Sequence, residues 1–249
     1  MNKVAKVTFS FWVMKICATT LGETAGDLLS MTMKVGYEKS SAILLGFFFV
    51  ILTIQLTAKK FNPIIYWSVI LATSTAGTTI SDFMDRTLKL GYEKGSLILV
   101  TCLFITLTAW FLSEKSLSVN NIQTRKAEIF YWTAILFSNT LGTALGDFLS
   151  LSSGLGFLGS AILVGSLIAI VVIAKYTTQF NRIILFWIAF VLTRPFGATF
   201  GDLLTKPIDK GGLNFGTVGS SIFLACLLLI FIVYTTIRDK KMATSEEDS

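Results

Sequence analysis

Four aspartates follow four tryptophans at one fixed distance, inside segments otherwise apolar enough to lie in lipid. The pairs are Trp12 and Asp27, Trp67 and Asp82, Trp132 and Asp147, and Trp187 and Asp202, each 15 residues apart. The regularity makes the chain a fourfold repeat with an acidic centre. An ionisable side chain in hydrocarbon costs about 2.5–3.5 kcal/mol even on the lenient insertion scale, so a pattern that repeats it four times requires internal partners or a function.

The chain has 249 residues, 53% of them hydrophobic and 14% charged, and its mean hydropathy is +0.71. These values belong to an integral membrane protein. Stretches free of Asp, Glu, Lys and Arg run over Ser40–Ala58, Phe61–Ser81, Gly95–Ser113, Phe148–Ala174 and Gly211–Ile237. Each is long enough to cross about 30 Å of hydrocarbon as helix. The repeat identifies three further, charge-bearing spans at about Val7–Met33, Glu128–Leu149 and Arg182–Thr205. The expected fold is an all-α integral membrane protein with eight transmembrane helices. The opening stretch is read as a retained first helix, not a cleaved signal, because Lys15, Glu23 and Asp27 interrupt its apolar run and it carries the first copy of the repeat.

Basic loop residues set orientation. With both termini cytoplasmic, that side holds twelve lysines and arginines, Lys59, Lys60, Arg125 and Lys126 among them. The other side holds seven: Lys34, Lys39, Arg86, Lys89, Lys94, Lys206 and Lys210. The net charge of +6 is accounted for by basic loops beside anionic lipid, so the lipid bilayer and not a nucleic acid is the expected partner. Three scattered cysteines and the absence of histidine argue against a thiolate or imidazole metal site, and no cofactor is expected.

Successive aspartates are 55, 65 and 55 residues apart, so the first and third copies, and the second and fourth, are offset by 120. This implies two pseudo-symmetric halves of two parallel helical hairpins each, at about 7–58, 61–113, 128–176 and 182–237, followed by a cytoplasmic tail over 238–249. The outer turns repeat as well. Gly36-Tyr37-Glu38-Lys39 recurs as Gly91-Tyr92-Glu93-Lys94, with Gly156 and Gly211 at the equivalent places in the second half.

Counting from each tryptophan gives the grammar of the motif helix. The preceding residue is aromatic in every copy (Phe11, Tyr66, Tyr131, Phe186), and the tryptophans Trp12, Trp67, Trp132 and Trp187 are expected as interface anchors with the indole N–H near water. Ten and fourteen residues on come Gly22 and Gly26, Gly77 and Ser81, Gly142 and Gly146, and Gly197 and Gly201. Such a small-xxx-small seam lets helix backbones approach closely. The aspartate lies about 100° and about 140° around the helix from these two small residues, so it points away from the seam, toward the bundle axis. Seven residues after the tryptophan stand Thr19, Ser74, Asn139 and Arg194, a polar stripe below the carboxylates.

A tryptophan opening each of four two-helix units, followed by an element such as Thr20-Leu21-Gly22-Glu23-Thr24-Ala25-Gly26-Asp27, resembles a family of bacterial membrane proteins built of four copies of a repeat, domain of unknown function 347. The resemblance spans about Phe11 to Tyr234 and implies this architecture and a bacterial inner membrane. It implies no activity. The fourth copy departs most, with Arg194-Pro195 in place of a small polar pair and Ala198 where the first copy has Glu23.

Within the spans, Glu23, Asp27, Asp82, Asp147 and Asp202 stand against Lys15 and Arg194. The excess carboxyls are protonated, lie at a hydrated vestibule, or bind cations. Arg194 is expected as the internal counter-ion, with Asp202 or an aspartate on an adjacent motif helix as its partner. No metalloprotease, serine-hydrolase or phosphate-loop motif is present, so an enzyme is not expected. The favoured reading is a transporter of a small hard cation, with proton coupling as an option, through the four aspartates, Glu23, Thr19, Ser74 and Asn139. The metal, if one is carried, and any oligomerisation are left open. The alternatives are a structural protein in which the aspartates are interhelical glue, and a channel for a small neutral polar solute.

Overall fold

The computed structural model describes residues 3–247, apart from the side chains of 121 and 239–247. Eight long helices account for most of it: α1 (Phe9–Asp27), α2 (Tyr37–Thr57), α3 (Pro63–Asp82), α4 (Gly91–Glu114), α5 (Arg125–Asp147), α6 (Gly156–Thr177), α7 (Arg182–Thr205) and α8 (Thr217–Glu247). No strand occurs among the described residues. The backbone of the expected tail continues α8 to Glu247. Its side chains from 239 on, and residues 248–249 altogether, lie outside the described residues.

Every motif helix begins at a side-chain cap. Thr8, Asn62, Thr124 and Asn181 each accept a backbone N–H of the first turn, and Pro63 sits at a helix start where its missing N–H costs nothing. Seven of the eight helices are long and apolar enough to cross a membrane. The exception is α1, which carries Lys15, Glu23 and Asp27 and is buried over most of its length.

The odd-numbered helices form a closed inner ring, in which α1 packs on α3 and α7 while α5 packs on the same two from the far side. The even-numbered helices stand outside, α2 against α3, α4 against α5, α6 against α7, and α8 back against α1. Each outer helix therefore packs mainly on the motif helix of the next unit, while against its own unit α6 meets the turn at Phe148–Ser152 and α8 touches α7. The packed antiparallel pairs thus straddle the boundaries between units, and α8 closes the circle. The outer faces carry a band of exposed apolar side chains, including Phe47 and Val50 on α2, Phe104 and Ile105 on α4, Ile162 and Ile170 on α6, and Phe223 and Ile230 on α8.

The small-residue seam joins the ring in one rotational sense. A Cβ added to Gly22 would collide with Ser74, one on Gly77 with the Asn139–Thr140 backbone, one on Gly142 with Arg194, and one on Gly197 with Thr19. One turn further along, Gly26 faces Thr78, Gly146 faces Ala198 and Gly201 faces Glu23. Each unit thus offers its first glycine to the polar position of the unit after it, and the fourth unit offers its own to the first. Ser81, the remaining small residue of the seam, is buried on α3.

The motif tryptophans pack between helices, and Trp12 alone of the four is only half-buried. Trp67, Trp132 and Trp187 are buried, Trp132 completely, and they build an aromatic floor across one end of the ring. Phe11 packs on Trp67, Tyr66 on Trp132 and Phe186 on Trp12, at ring-centroid distances of 5.7, 5.5 and 5.7 Å. The remaining step, from Tyr131 to Trp187, runs through Trp110 of α4. The indole's amphipathic character suits either location, but here its large area fills the gaps between converging helices. The Trp187 indole donates to the Leu117 carbonyl at 3.1 Å.

At the opposite end, α1, α3 and α5 each pass directly from the motif aspartate into one wide turn, Leu28–Thr32, Phe83–Thr87 and Phe148–Ser152, closed by i→i+5 hydrogen bonds. Lys34, Lys89 and Gly154 then take left-handed φ, as do Gly36, Gly91 and Gly156 two residues on. The fourth unit differs. It stays α-helical to Thr205 and inserts a loop, so the structural counterpart of Gly36 is Gly216 and not Gly211. Gly36 accepts from Ser40 and Gly216 from Ser220 at the starts of α2 and α8.

Candidate functional site

Because the motif helices face inward through positions four residues apart, the ring interior is a stack of four-residue layers. From the aromatic floor upward these are Phe11, Tyr66, Tyr131 and Phe186; Lys15, Ile70, Ile135 and Phe190; Thr19, Ser74, Asn139 and Arg194; Glu23, Thr78, Thr143 and Ala198; and the four aspartates. A spacing of four keeps a stripe on one helix face with a slow drift of about 40° per step. The cross-ring contacts follow the same order. Tyr66 and Tyr131 join hydroxyls at 2.6 Å, Lys15 lies over the Phe190 ring at 4.0 Å, and Arg194 spans the two layers above.

Arg194 is fully buried at the centre of the ring. Its Nη2 lies 3.0 Å from the Glu23 carboxylate, 2.5 Å from Thr78 Oγ1 and 2.7 Å from Thr143 Oγ1, which are the equivalent positions of the other three units. Nη2 also reaches the Ser74 carbonyl, and Nη1 the Thr19 carbonyl, both at 3.3 Å. The fourth unit has Ala198 at the Glu23 position, a small side chain one turn above the arginine it must accommodate. A guanidinium with five fixed donors suits such a node, where a lysine would supply a single point charge. The expected partner is thereby corrected: Arg194 pairs with Glu23, not with an aspartate.

The aspartates form two triads at the end of the ring. Arg86, four residues beyond Asp82, places Nε 2.9 Å from Asp82 and Nη2 2.8 Å from Asp147 on the next motif helix. Lys206, four residues beyond Asp202, stands 3.0 Å from Asp202 and 2.6 Å from Asp27. Burial weighs against the Lys206 charge, but Asp202 and Asp27 outweigh it and hold its pKa above the usual lysine value. Arg86 and Lys206 read in the sequence as ordinary loop cations. The signal that could have singled them out is that both follow a motif aspartate by four and stand 120 residues apart, whereas the other two units have Met31 and Leu151 there.

One carboxylate oxygen each from Glu23, Asp147 and Asp202, contributed by α1, α5 and α7, lie within 4.8 Å of one another, and all three side chains are buried. Each already takes a basic partner, in Arg194, Arg86 and Lys206. Five interior carboxylates stand against these three bases and Lys15, so the acids outnumber the bases by one. Oxygen donors of this kind fit a hard cation. The basic groups at hand oppose a divalent ion and favour a proton or a monovalent one.

Lys15, by contrast, has no carboxylate within ion-pair distance among the described residues. Its amine donates to Asn139 Oδ1 at 3.3 Å, and the Asn139 amide donates in turn to Thr73 Oγ1 at 2.9 Å. Two further acids are buried away from the axis. Glu128 is clamped by Lys3 at 2.6 Å and Gln55 at 3.3 Å, and Asp85 lies 3.3 Å from Ser81 Oγ, beside Gly95, at the junction of the α3 end with α4.

The model of the Repeat of Unknown Function (DUF347) matches the chain four times, over residues 10–61, 65–116, 130–181 and 185–241. No curated protein and no solved structure matches it. With four matches that follow the ring of motif helices and cover most of the sequence, the chain belongs to the family built from this repeat.

Proposed function

We propose that this protein is a multi-pass protein of the bacterial inner membrane that carries a small hard cation along the axis of the four-helix ring. The observation that supports this reading best is the approach of Glu23, Asp147 and Asp202 to within 4.8 Å inside a buried ring. Even with a base beside each, three carboxylates this close repel one another, and a shared cation or proton would relieve that repulsion. The exposed apolar band of the outer helices is the face that would meet lipid. The basic-residue bias supports an orientation with both termini in the cytoplasm, and it grows once Arg86 and Lys206 are set aside as parts of the interior, which leaves five loop cations on the other side against twelve. The aspartate end then faces the periplasm.

Purified protein in liposomes loaded with a pH-sensitive or cation-sensitive dye tests this. Flux driven by an imposed cation or proton gradient, lost in Glu23→Gln and Asp147→Asn variants that remain folded, is the expected result. A specific observation also favours the structural alternative: both triads tie adjacent motif helices together. That reading wins if the wild-type protein passes no proton and no monovalent or divalent cation, while the same variants lose only thermal stability.

A further inference from the structure

Lys15 is left unused by the carboxylate cluster. Its three counterparts in the ring layer are Ile70, Ile135 and Phe190, all completely buried, and Lys15 is itself 0% exposed. A lysine held permanently charged in such a place needs a carboxylate, because the desolvation of an isolated ammonium costs several kcal/mol. None is supplied at this level. The surroundings are instead an amide oxygen at 3.3 Å and an aromatic face at 4.0 Å, both of which stabilise an ammonium when it forms. The charged and titratable groups bearing on it are few. Arg194 of α7 opposes its charge from the layer beyond, Glu23 lies two turns up its own helix, Tyr66 and Tyr131 lie in the floor one layer below, and α5 contributes the neutral Asn139.

We propose that Lys15 is a second proton-binding site of the ring, and that the ion exchanged between it and the carboxylates beyond Arg194 is the proton. The step is a simple transfer: the ammonium gives up its proton to become an amine, a carboxylate takes it to become a carboxylic acid, and no electron moves. Arg194, fixed between the two sites and charged throughout, neutralises Glu23 and repels a proton on Lys15. A proton taken up by the carboxylates removes negative charge that favours one on Lys15, so the occupancies of the two sites oppose each other. This rests on the reading that the ring carries a cation, and it narrows that cation to the proton.

Two substitutions test it in proteoliposomes under an imposed pH gradient. Asn139→Asp is nearly isosteric and gives Lys15 a carboxylate at hydrogen-bond distance, which strengthens proton binding about tenfold or more. The melting temperature should rise while proton flux falls by about the same factor. A lysine with a purely structural role would gain stability and lose no flux. Lys15→Arg keeps the charge but cannot release the proton, so it should stop the flux in folded protein. Wild-type flux in Asn139→Asp, whether or not Lys15→Arg folds, overturns the assignment of Lys15 and leaves cation transport standing. Sodium or potassium flux that persists in both variants likewise overturns the proton assignment alone. Absence of any cation flux in the wild-type protein removes both the transport reading and this one.

Discussion

Arg86 leaves the end of α3 and reaches past its own Asp82 to set a guanidinium nitrogen 2.8 Å from Asp147 on α5. Lys206 repeats the construction 120 residues later, from α7 to Asp27 on α1. The two cations therefore join the second unit to the third and the fourth to the first. Pairing at this end of the ring cuts across the two halves that the sequence spacing defines.

That arrangement predicts which substitutions rescue one another. Arg86→Gln leaves Asp82 and Asp147 unpaired and should cost about 3 kcal/mol, the usual penalty for an orphaned buried charge. Adding Asp147→Asn should recover part of it, as Asp27→Asn should for Lys206→Gln. The crossed pair Arg86→Gln with Asp27→Asn should show additive damage. Thermal unfolding in detergent reads all of these, and equal rescue by crossed and direct pairs would contradict the two-triad arrangement.

Arg194→Gln should be among the most destabilising single changes, at about 3–5 kcal/mol, because it strands Glu23 and removes donors that Thr78, Thr143 and two carbonyls use. Glu23→Gln in the same chain should restore part of the loss, and Asp202→Asn should restore none. Rescue by Asp202→Asn and not by Glu23→Gln would assign the counter-ion to the wrong residue here.

Gly22→Leu, Gly142→Leu and Gly197→Leu should each prevent assembly of a stable ring, since even a Cβ meets Ser74, Arg194 or Thr19. Phe104→Leu, on the exposed face of α4, should behave as the parent does. Yield and monodispersity on size exclusion distinguish them, and monodisperse protein from all three glycine variants would show that the helices do not approach along this seam.

The tyrosine pair in the aromatic floor offers a smaller effect. Tyr66→Phe should cost about 1 kcal/mol by leaving the buried Tyr131 hydroxyl without its 2.6 Å partner, and adding Tyr131→Phe should return most of it. A double variant that loses as much stability as the two singles added together would mean that the hydroxyls bond elsewhere.

Orientation is open to direct labelling. In a cysteine-free background, Cys at Lys60 or Lys126 should be shielded from an impermeant thiol reagent in intact cells, and Cys at Lys34 or Lys94 should react. The reverse pattern would turn the aspartate end toward the cytoplasm.

Much of the architecture was legible because it is periodic. The spacing of Trp12 and Asp27 through Trp187 and Asp202 determines four units, and the small pairs and the polar position at Thr19, Ser74, Asn139 and Arg194 determine an inward stripe and a close-packed seam. Such features depend on residues in one helix, whose geometry is known beforehand. The partnering of helices was not legible. The outer helices are apolar nearly all round, so nothing in their sequence distinguishes the motif helix of their own unit from that of the next, and only the closed ring places α2 on α3 and α8 on α1. For the same reason the tryptophans and the cations could be typed but not located. An indole suits an interface or a packed floor, and a base four residues past an aspartate suits a loop or an ion pair. The choice between them belongs to the neighbouring helix, which brings Trp67 against Phe11 and Asp147 to Arg86.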